Sequence, residues 1–338
     1  MPSSRFLLLL VAAGLLSLPA SAPARTLKIA TVVPEGSAWV MEMRKVGKEI
    51  EQKTQGRVRF KFYPGGIMGN DKTVLRKMRA GQLQGGAFTS GSLAGVYPDL
   101  ELYGIPLLFR SRDEVDYVRS RMDAGMIDGL QKVGLSAMAI NDQSFAYLMS
   151  QKPAREVADL EGAKVWIQEG DSMSLTGFGL AGVSPVQLSL ADVYTALQTG
   201  LVDTIAAPLQ GAIALQWHTK VRYVTDVPLS YLTGALVIEG RAFDALTSED
   251  QRVVREAVRE AAGRLDAETL RGEAGARKAL ESEGIQFVSP TTPEEVERWH
   301  DMARSTVETL RKEGIYSEAV IDEIERLLAE YRSGAGRP

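Results

Sequence analysis

The sequence predicts an α/β protein with two lobes, each a mixed or parallel sheet flanked by helices. The order strand–helix–strand–helix–strand occurs twice, in residues 27–92 and 160–208. This order favours mostly parallel sheets with helices on both faces. Two further strand-like segments, 135–150 and 229–239, follow the first and the second unit. We expect these segments to be the strands that join the lobes.

The first unit begins with an apolar strand at residues 27–33. After a turn at 34–36, Ser37 can cap a helix in which Trp39, Met43, Val46 and Ile50 fall at helical spacing. Apolar and basic residues alternate over 58–62, which is typical of a strand with one solvated face. A helix from residue 70 or 71 to 81 and a strand over 84–89 complete the unit.

The second unit predicts strands at 164–167, 183–188 and 201–206, separated by a helix and by a second helix that begins at Ser189. Residues 177–182 match the pattern GxGxxG of dinucleotide-binding loops. Such a loop follows a strand and opens a helix, whereas these glycines follow a helix and precede a strand. The pattern therefore predicts a helix end and a turn here, not a nucleotide site.

The last third is predominantly helical. A capping box at 248–251 opens a long helix over 249–282 that contains few helix breakers. A short strand over 285–288 follows. A helix from Thr292 to Gly314 and a last helix over 318–331 come next, and residues 333–338 predict a mobile tail.

The N-terminus has the features of an export signal, residues 1–24. Arg5 precedes an apolar run over 6–18, and Ala22-Pro23-Ala24 gives the small-residue cleavage pattern. The apolar run is shorter than the roughly 20 residues that span a membrane. We therefore predict cleavage after Ala24 and an exported mature chain.

Composition excludes several classes of function. The chain has no cysteine, so a disulfide or a thiolate nucleophile is excluded. A net charge of −4 gives no basis for nucleic-acid binding. The two histidines, His218 and His300, do not lie in a recognisable catalytic or zinc-binding motif. These features predict a protein that is not an enzyme and needs no cofactor.

Ligands of open α/β sheets bind beyond the carboxyl ends of the strands. The residues that follow the predicted strands, with aromatic residues near them, are therefore candidate ligand contacts, although packing or turn formation also explains each one. Together they suggest a pocket with aromatic walls and a few polar groups. The candidates are Glu35, Ser37, Trp39, Ser90, Ser92, Phe145, Tyr147, Trp166, Gln168, Glu169, Ala207 and Gln210.

Five motifs in order give the chain a family resemblance. They are KTQGR with FYPGG (53–57 and 62–66), MGND (68–71), GIPLLF (104–109), LEGAK (160–164) and YTALQTGLVD (194–203). Over most of its length the chain resembles the periplasmic solute-binding proteins of TRAP transporters, the DctP-type family.

The resemblance implies two lobes that close over one small molecule in the periplasm and deliver it to a TRAP permease in the inner membrane. It also implies lobes that are discontinuous in sequence and a long helix across both of them. We expect lobe 1 to contain residues 25–147 and about 236–283, and lobe 2 to contain 148–235 and about 284–332. We also expect a monomer.

The sequence departs from the family pattern at the ligand site. Members usually carry an arginine where Trp166 stands, and a guanidinium there clamps a ligand carboxylate bidentately. A second arginine of the family falls at about Ala146. Tryptophan offers a flat apolar face and one N–H group instead. If Trp166 faces the ligand only, Trp166→Ala should weaken binding more than tenfold without changing the apo melting temperature.

Two interpretations of the ligand follow. In the first, a small organic acid is held by Ser37, Ser90, Ser92, Gln168 and helix N-termini, or by an arginine elsewhere such as Arg110. In the second, which we favour, the ligand is not a simple dicarboxylate but is neutral or cationic. Aromatic walls from Trp166, Phe145 and Tyr147 would then hold it, with Glu35, Glu169 or Asp171 as the counter-charge.

Three further alternatives stay open at this point. Glu169 and Asp171 are candidate ligands for Ca²⁺, which prefers oxygen donors. An exported α/β enzyme, for instance a hydrolase, is a rival class that would need a nucleophile with a base in reach. A sensor that presents its ligand to a receptor protein is a second rival.

Overall fold

The structure is a computed structural model that describes residues 24–334. The predicted signal peptide therefore lies outside the described residues except for Ala24, as do residues 335–338 of the predicted tail. The strands are β1 (Arg25–Thr31), β2 (Val58–Tyr63), β3 (Gly85–Thr89), β4 (Leu135–Ser150), β5 (Trp166–Gln168), β6 (Val186–Leu188), β7 (Thr204–Pro208), β8 (Tyr223–Thr225), β9 (Ser230–Glu239) and β10 (Gln286–Val288).

The helices are α1 (Ala38–Lys53), α2 (Asp71–Arg79), α3 (Ser90–Leu93), α4 (Arg112–Lys132), α5 (Ser172–Leu180), α6 (Val193–Thr199), α7 (Leu209–Ala214), α8 (Gly240–Asp244), α9 (Ser248–Ser282), α10 (Pro293–Glu313) and α11 (Glu318–Arg332). A 3₁₀ helix, Pro98–Gly104, links α3 to the segment before α4.

One mixed sheet runs through the molecule in the order β10-β8-β4-β9-β3-β1-β2, with β7 paired to β4. Strands β1, β2 and β3 lie at one end and, with α1 to α4, form lobe 1. The other end and the small parallel sheet of β5 and β6 form lobe 2. The two-lobed α/β prediction is confirmed, but the lobes share a sheet because β4 and β9 pair over most of the length of β9.

The predicted joining segments are these two strands, β4 and β9. Their pairing is interrupted by irregularities between Ala137 and Ile140 and between Asp142 and Ser144. Ser144 has a positive φ of 75°, and its N–H donates to Asp142 Oδ1 at 2.6 Å. Bulges bend a strand and redirect its side chains. The bend therefore lies where the two lobes meet.

Helix α1 shows how the local sequence sets the fold of lobe 1. Ser37 caps it by accepting a hydrogen bond from the N–H of Val40. The buried face carries Val40, Met43, Val46 and Ile50, as the spacing predicts, whereas Trp39 is only half-buried. Removing apolar side chains of this kind from water is the main force that holds the helix on the sheet.

Helix α9 crosses both lobes, and an ion pair near each of its ends connects it to the rest of the protein. Near its N-terminus, Asp250 pairs with Arg57, which precedes β2, at 2.8 Å. Near its C-terminus, Arg277 pairs with Asp226, in the loop between β8 and β9, at 2.7 Å. The long predicted helix therefore connects lobe 1 to lobe 2 from outside the sheet.

The C-terminal helices divide between the lobes, which corrects the expected boundary. Helix α10 packs on α5 of lobe 2. Helix α11 packs on α4 of lobe 1, and its Ile321, Ile324, Leu327 and Leu328 are buried in that core. The apolar face of α11 has to be buried against another element. The turn at Gly314 reverses the chain direction, so that this face packs on lobe 1. Residues after the turn thus belong with lobe 1, not lobe 2.

Candidate solute-binding cleft

A cleft of about 450 Å³ opens between the lobes. The ends of β1 and β3 contribute to it from lobe 1, and β5 and β7 contribute from lobe 2. Strands β4 and β9 form its floor and α9 its far wall, through Leu265, Glu268 and Thr269. The carboxyl ends of strands thus meet at one place, where α/β proteins bind ligands.

Seven of the predicted ligand residues line this cleft. The polar ones already have partners within the protein, and two of these bonds cross between elements of the cleft wall. Ser90 Oγ donates to the carbonyl of Thr233 at 2.9 Å, and Gln210 Nε2 donates to the carbonyl of Thr269 on α9 at 2.6 Å. The seven residues are Ser37, Trp39, Ser90, Trp166, Gln168, Ala207 and Gln210.

The other five predicted residues lie outside the cleft lining. Because side chains alternate along a strand, the inward Ala146 turns Phe145 and Tyr147 to the opposite face of β4. Glu35 and Glu169 are exposed and lie beside Arg44 and Lys72. Ser92 donates to Asp71 Oδ2 at 2.5 Å in a smaller neighbouring pocket.

Trp166 lines the cleft but is also part of the lobe 2 core. Its side chain is buried and stacks edge-on against Trp217, with ring centroids 5.3 Å apart. Its indole N–H donates to the carbonyl of Leu188 at 3.1 Å. Trp166→Ala should therefore also lower the apo melting temperature, unlike the substitution of a residue that faces the ligand only. Trp166 offers a solute an aromatic surface and no free hydrogen-bond donor.

Gln168 connects the two lobes across the mouth of the cleft. Its Oε1 accepts from Thr89 Oγ1 at 3.0 Å, and its Nε2 donates to Ser92 Oγ at 2.5 Å. Thr89 ends β3 of lobe 1, whereas Gln168 ends β5 of lobe 2. The contact is a polar latch between the lobes, which we call the Gln168 latch.

The charges that line the cleft are acidic. Among the described lining residues there is no lysine or arginine, whereas four carboxylates are present. Trp166 and Ala146, the two positions that the family resemblance assigns to arginine, both face the cleft. Arg110, the other candidate, is exposed and lies outside the lining. The carboxylates are those of Glu101, Asp142, Asp171 and Glu268.

Two of these carboxylates have structural partners. Asp142 forms an ion pair with Arg112 of α4 and accepts from Ser144 N–H at the bend of β4. Asp171 caps α5 by accepting from the N–H of Ser174 at 2.7 Å. Burial raises the pKa of Asp171, while its hydrogen bonds with Ser174 and Met173 lower that pKa.

Glu101 is the acid of the described cleft lining that has a buried oxygen without a partner. It lies in the 3₁₀ helix, is 6% exposed, and accepts from Tyr316 Oη through Oε2 at 2.7 Å. Its Oε1 is buried and has no hydrogen-bond partner within the described residues. Burial, and then the negative charge of Asp171, raise the pKa of Glu101 to about 9.

Sequence reasoning missed several lining residues, including Glu101, Asn141, Asp142 and Trp217. Asn141 and Asp142 interrupt an otherwise apolar strand, and that interruption was a usable signal. Glu101 stands alone among apolar residues before the motif GIPLLF, so only the packing of the segment shows that it is buried. No local pattern places Trp217 in the cleft.

The described residues do not contain a group of three or more acidic, histidine or cysteine side chains that could hold a metal ion. Glu169 lies beside Lys72 and Asp171 caps α5, so these two candidate Ca²⁺ ligands have other partners. None of the helices in residues 24–334 is long and apolar enough to cross a membrane.

Two lobes joined by continuous strands around a cleft are typical of solute-binding proteins of the periplasmic type. The chain belongs to the bacterial extracellular solute-binding proteins, family 7, whose sequence model matches residues 29–313. It is thus a TRAP periplasmic solute-binding protein, as the resemblance indicated. Members of this family are extracytoplasmic binding proteins, not enzymes, and typically need no cofactor. They work with a small-molecule ligand and a membrane permease.

Known relatives agree with this assignment. The C4-dicarboxylate-binding periplasmic protein DctP of Rhodobacter capsulatus is 25% identical over 85% of this chain and 86% of its own length. The 2,3-diketo-L-gulonate-binding periplasmic protein YiaO of Escherichia coli is 23% identical over 71% of this chain and 74% of its own length.

Solved structures give the same fold. A TRAP solute-binding protein from Ochrobactrum anthropi is 25% identical, with a TM-score of 0.78 over 93% of this chain and 97% of that one. One from Xanthobacter autotrophicus, with bound β-D-galacturonate, is 21% identical, with a TM-score of 0.82 over 90% of this chain and 99% of that one.

Proposed function

We propose that this protein captures one small organic solute in the periplasm by closure of its two lobes and delivers it, as a monomer, to a TRAP permease. The cleft between the lobes, at the ends of strands from both, supports this proposal. Binding energy gained only when both lobes contact the solute would stabilise the closed form.

We further propose that the solute is not a simple dicarboxylate. The single observation behind this is the lining without lysine or arginine, in which Trp166 and Ala146 occupy the two arginine positions. A carboxylate would enter a cleft that already holds four acids, and no bidentate cationic partner would offset its desolvation.

A small organic acid is the second candidate, because relatives of this chain bind such compounds. Structures similar to this one contain galacturonate or L-galactonate. In this cleft an acid would depend on neutral donors such as Ser37 and Asn141. Each neutral hydrogen bond contributes less than a charge-assisted one.

The test is a thermal-shift screen of the protein purified from the periplasm, followed by small-angle scattering with each compound that binds. The library contains neutral, cationic, zwitterionic and acidic solutes. We expect a one-to-one ligand that raises the melting temperature and reduces the radius of gyration. Tight binding of succinate would contradict the solute class, tight binding of a sugar acid would favour the second candidate, and the absence of any ligand would contradict the proposed function.

A further inference from the structure

Within residues 24–334, the cleft lining contains one buried carboxyl oxygen that lacks a partner, Oε1 of Glu101. The other oxygen accepts from Tyr316, and the side chain is 6% exposed. Buried polar atoms are almost always hydrogen-bonded, and an unpaired buried carboxylate is costly. A solute with a hydrogen-bond donor would satisfy this atom.

Glu101 faces the Gln168 latch across Gly91. A Cβ built on Gly91 would lie 3.5 Å from Glu101 Oε1 and 3.4 Å from Gln168 Oε1. Two acceptor oxygens, one from each lobe, therefore converge on the same point. A group that donates to both would connect the lobes directly.

The charges around this point favour a cation. The titratable groups that face Glu101 are Asp171, from the turn between β5 and α5, and Tyr316, from the link between α10 and α11. Asp171 is acidic, Tyr316 is a neutral donor, and the described lining has no lysine or arginine. A positively charged donor would thus supply the missing hydrogen bond and, by pairing with an ionised Glu101, offset the burial that disfavours that ionised form.

We propose that the solute carries a protonated amine that binds between Glu101 of lobe 1 and Gln168 of lobe 2. This inference rests on the proposed function and names the solute class of the same cleft. The body of the solute would lie against Trp39 and Trp166, whose faces also attract cations. The Nδ2 group of Asn141 is a buried donor that has no partner among the described residues, so it calls for an acceptor elsewhere on the solute.

An organic ammonium fits the site better than a bare metal ion. The described residues do not provide three acidic, histidine or cysteine side chains close enough to hold a metal. A metal ion alone would also leave most of a 450 Å³ cleft without an occupant. We therefore assign the cationic group to the solute.

The experiment compares matched probes by isothermal titration calorimetry. One series consists of aromatic and aliphatic primary amines, with and without a hydroxyl or carbonyl acceptor. The others are the corresponding alcohols, the corresponding carboxylates, and the chlorides of Na⁺, K⁺ and Ca²⁺ alone. We expect one-to-one binding of an amine and at least tenfold weaker binding of its alcohol and carboxylate counterparts.

Glu101→Gln is the critical variant, because it removes the charge while keeping an acceptor for Tyr316. We expect it to weaken amine binding at least tenfold. The matched control is Glu295→Gln, since Glu295 is also a buried glutamate with an unpartnered oxygen but lies on α10, outside the cleft lining. This control should leave the dissociation constant unchanged.

Proton release gives a second measurement on the unaltered protein, which also serves if Glu101→Gln does not fold. A neutral Glu101 must lose its proton when it pairs with an ammonium, so the binding heat at pH 7 should depend on the ionisation heat of the buffer. Amine binding without proton release and unaffected by Glu101→Gln would overturn the inference, as would binding of the alcohol, the carboxylate or a metal salt instead. Those last outcomes would leave solute capture intact, whereas no binding at all would contradict the proposed function itself.

Discussion

Gln168 of lobe 2 accepts a hydrogen bond from Thr89 of lobe 1 at 3.0 Å and, through its amide nitrogen, donates to Ser92 at 2.5 Å. One side chain at the end of β5 thus connects the two lobes. The latch and the cleft share this residue, so solute binding and closure are physically linked.

We predict that Gln168→Ala shifts the protein without solute toward an open form. Each lost hydrogen bond contributes roughly 1 kcal/mol to the closed state. The radius of gyration from small-angle scattering should rise, and solute affinity should fall about tenfold. Gln187→Ala, at an exposed position of the neighbouring strand β6, is the control. Equal radii for the two variants would show that the latch does not hold the lobes.

Trp166→Ala should reduce both affinity and stability. The side chain is buried against Trp217, and removing a buried tryptophan typically costs about 3–5 kcal/mol. Trp166→Phe keeps an aromatic surface but loses the hydrogen bond to Leu188, so its unfolding free energy should fall by only about 1 kcal/mol. Urea unfolding monitored by circular dichroism measures both. An unchanged midpoint for Trp166→Ala would contradict the core role.

The ion pair between Arg57 and Asp250 should support the attachment of α9 to lobe 1. The side chain of Asp250 is 4% exposed, and the hydrogen bond from Arg57 lowers its pKa. Asp250 is buried and Arg57 is partly exposed, so Asp250→Asn should lower the urea midpoint by less than the loss of a fully buried pair would. Asp244→Asn, in the short helix α8 near the start of α9, is the control. Similar midpoints for the two variants would rule out this anchoring.

The same pair gives a pH dependence of known sign. The pKa of Asp250 is lower in the folded chain than its ordinary value of 3.8. Its contribution is therefore present above pH 3.8 and is lost as the pH falls through the folded pKa. The difference in unfolding free energy between the original chain and Asp250→Asn should shrink on acidification below pH 4. A constant difference would contradict the linkage.

Glu101 should give a pH dependence of stability opposite in sign to that of Asp250. Burial and Asp171 raise its pKa from 4.5 to about 9, so the folded chain binds its proton more tightly than the unfolded chain does. This contribution is complete below pH 4.5 and is lost as the pH rises through about 9. The fall in melting temperature between pH 6 and pH 9.5 should be smaller in Glu101→Gln. Identical slopes would show that Glu101 is not protonated in the protein without solute.

The sequence predicted much of the fold because local signals agreed with the final packing. The helical spacing of Met43, Val46 and Ile50 marked α1, and the apolar segment 135–150 marked β4. The shared sheet was not predictable from such signals, since strand pairing between β4 and β9 depends on contacts distant in sequence. The return of α11 to lobe 1 has the same cause.

The cleft was predictable in part. Residues directly after strands, such as Gln168 and Ala207, follow from the rule for open sheets. Phe145 and Tyr147 were assigned to the wrong face, because the bulge at Ser144 sets which residues of β4 point inward. Glu101 could not be found, since its role depends on Tyr316 and Asp171, which lie far away in sequence.

The most direct measurement is native mass spectrometry of the protein purified from the periplasm, followed by identification of the released solute. We expect a one-to-one complex with a small compound that carries a basic amine. A complex whose released solute is a dicarboxylate or a sugar acid would contradict this expectation.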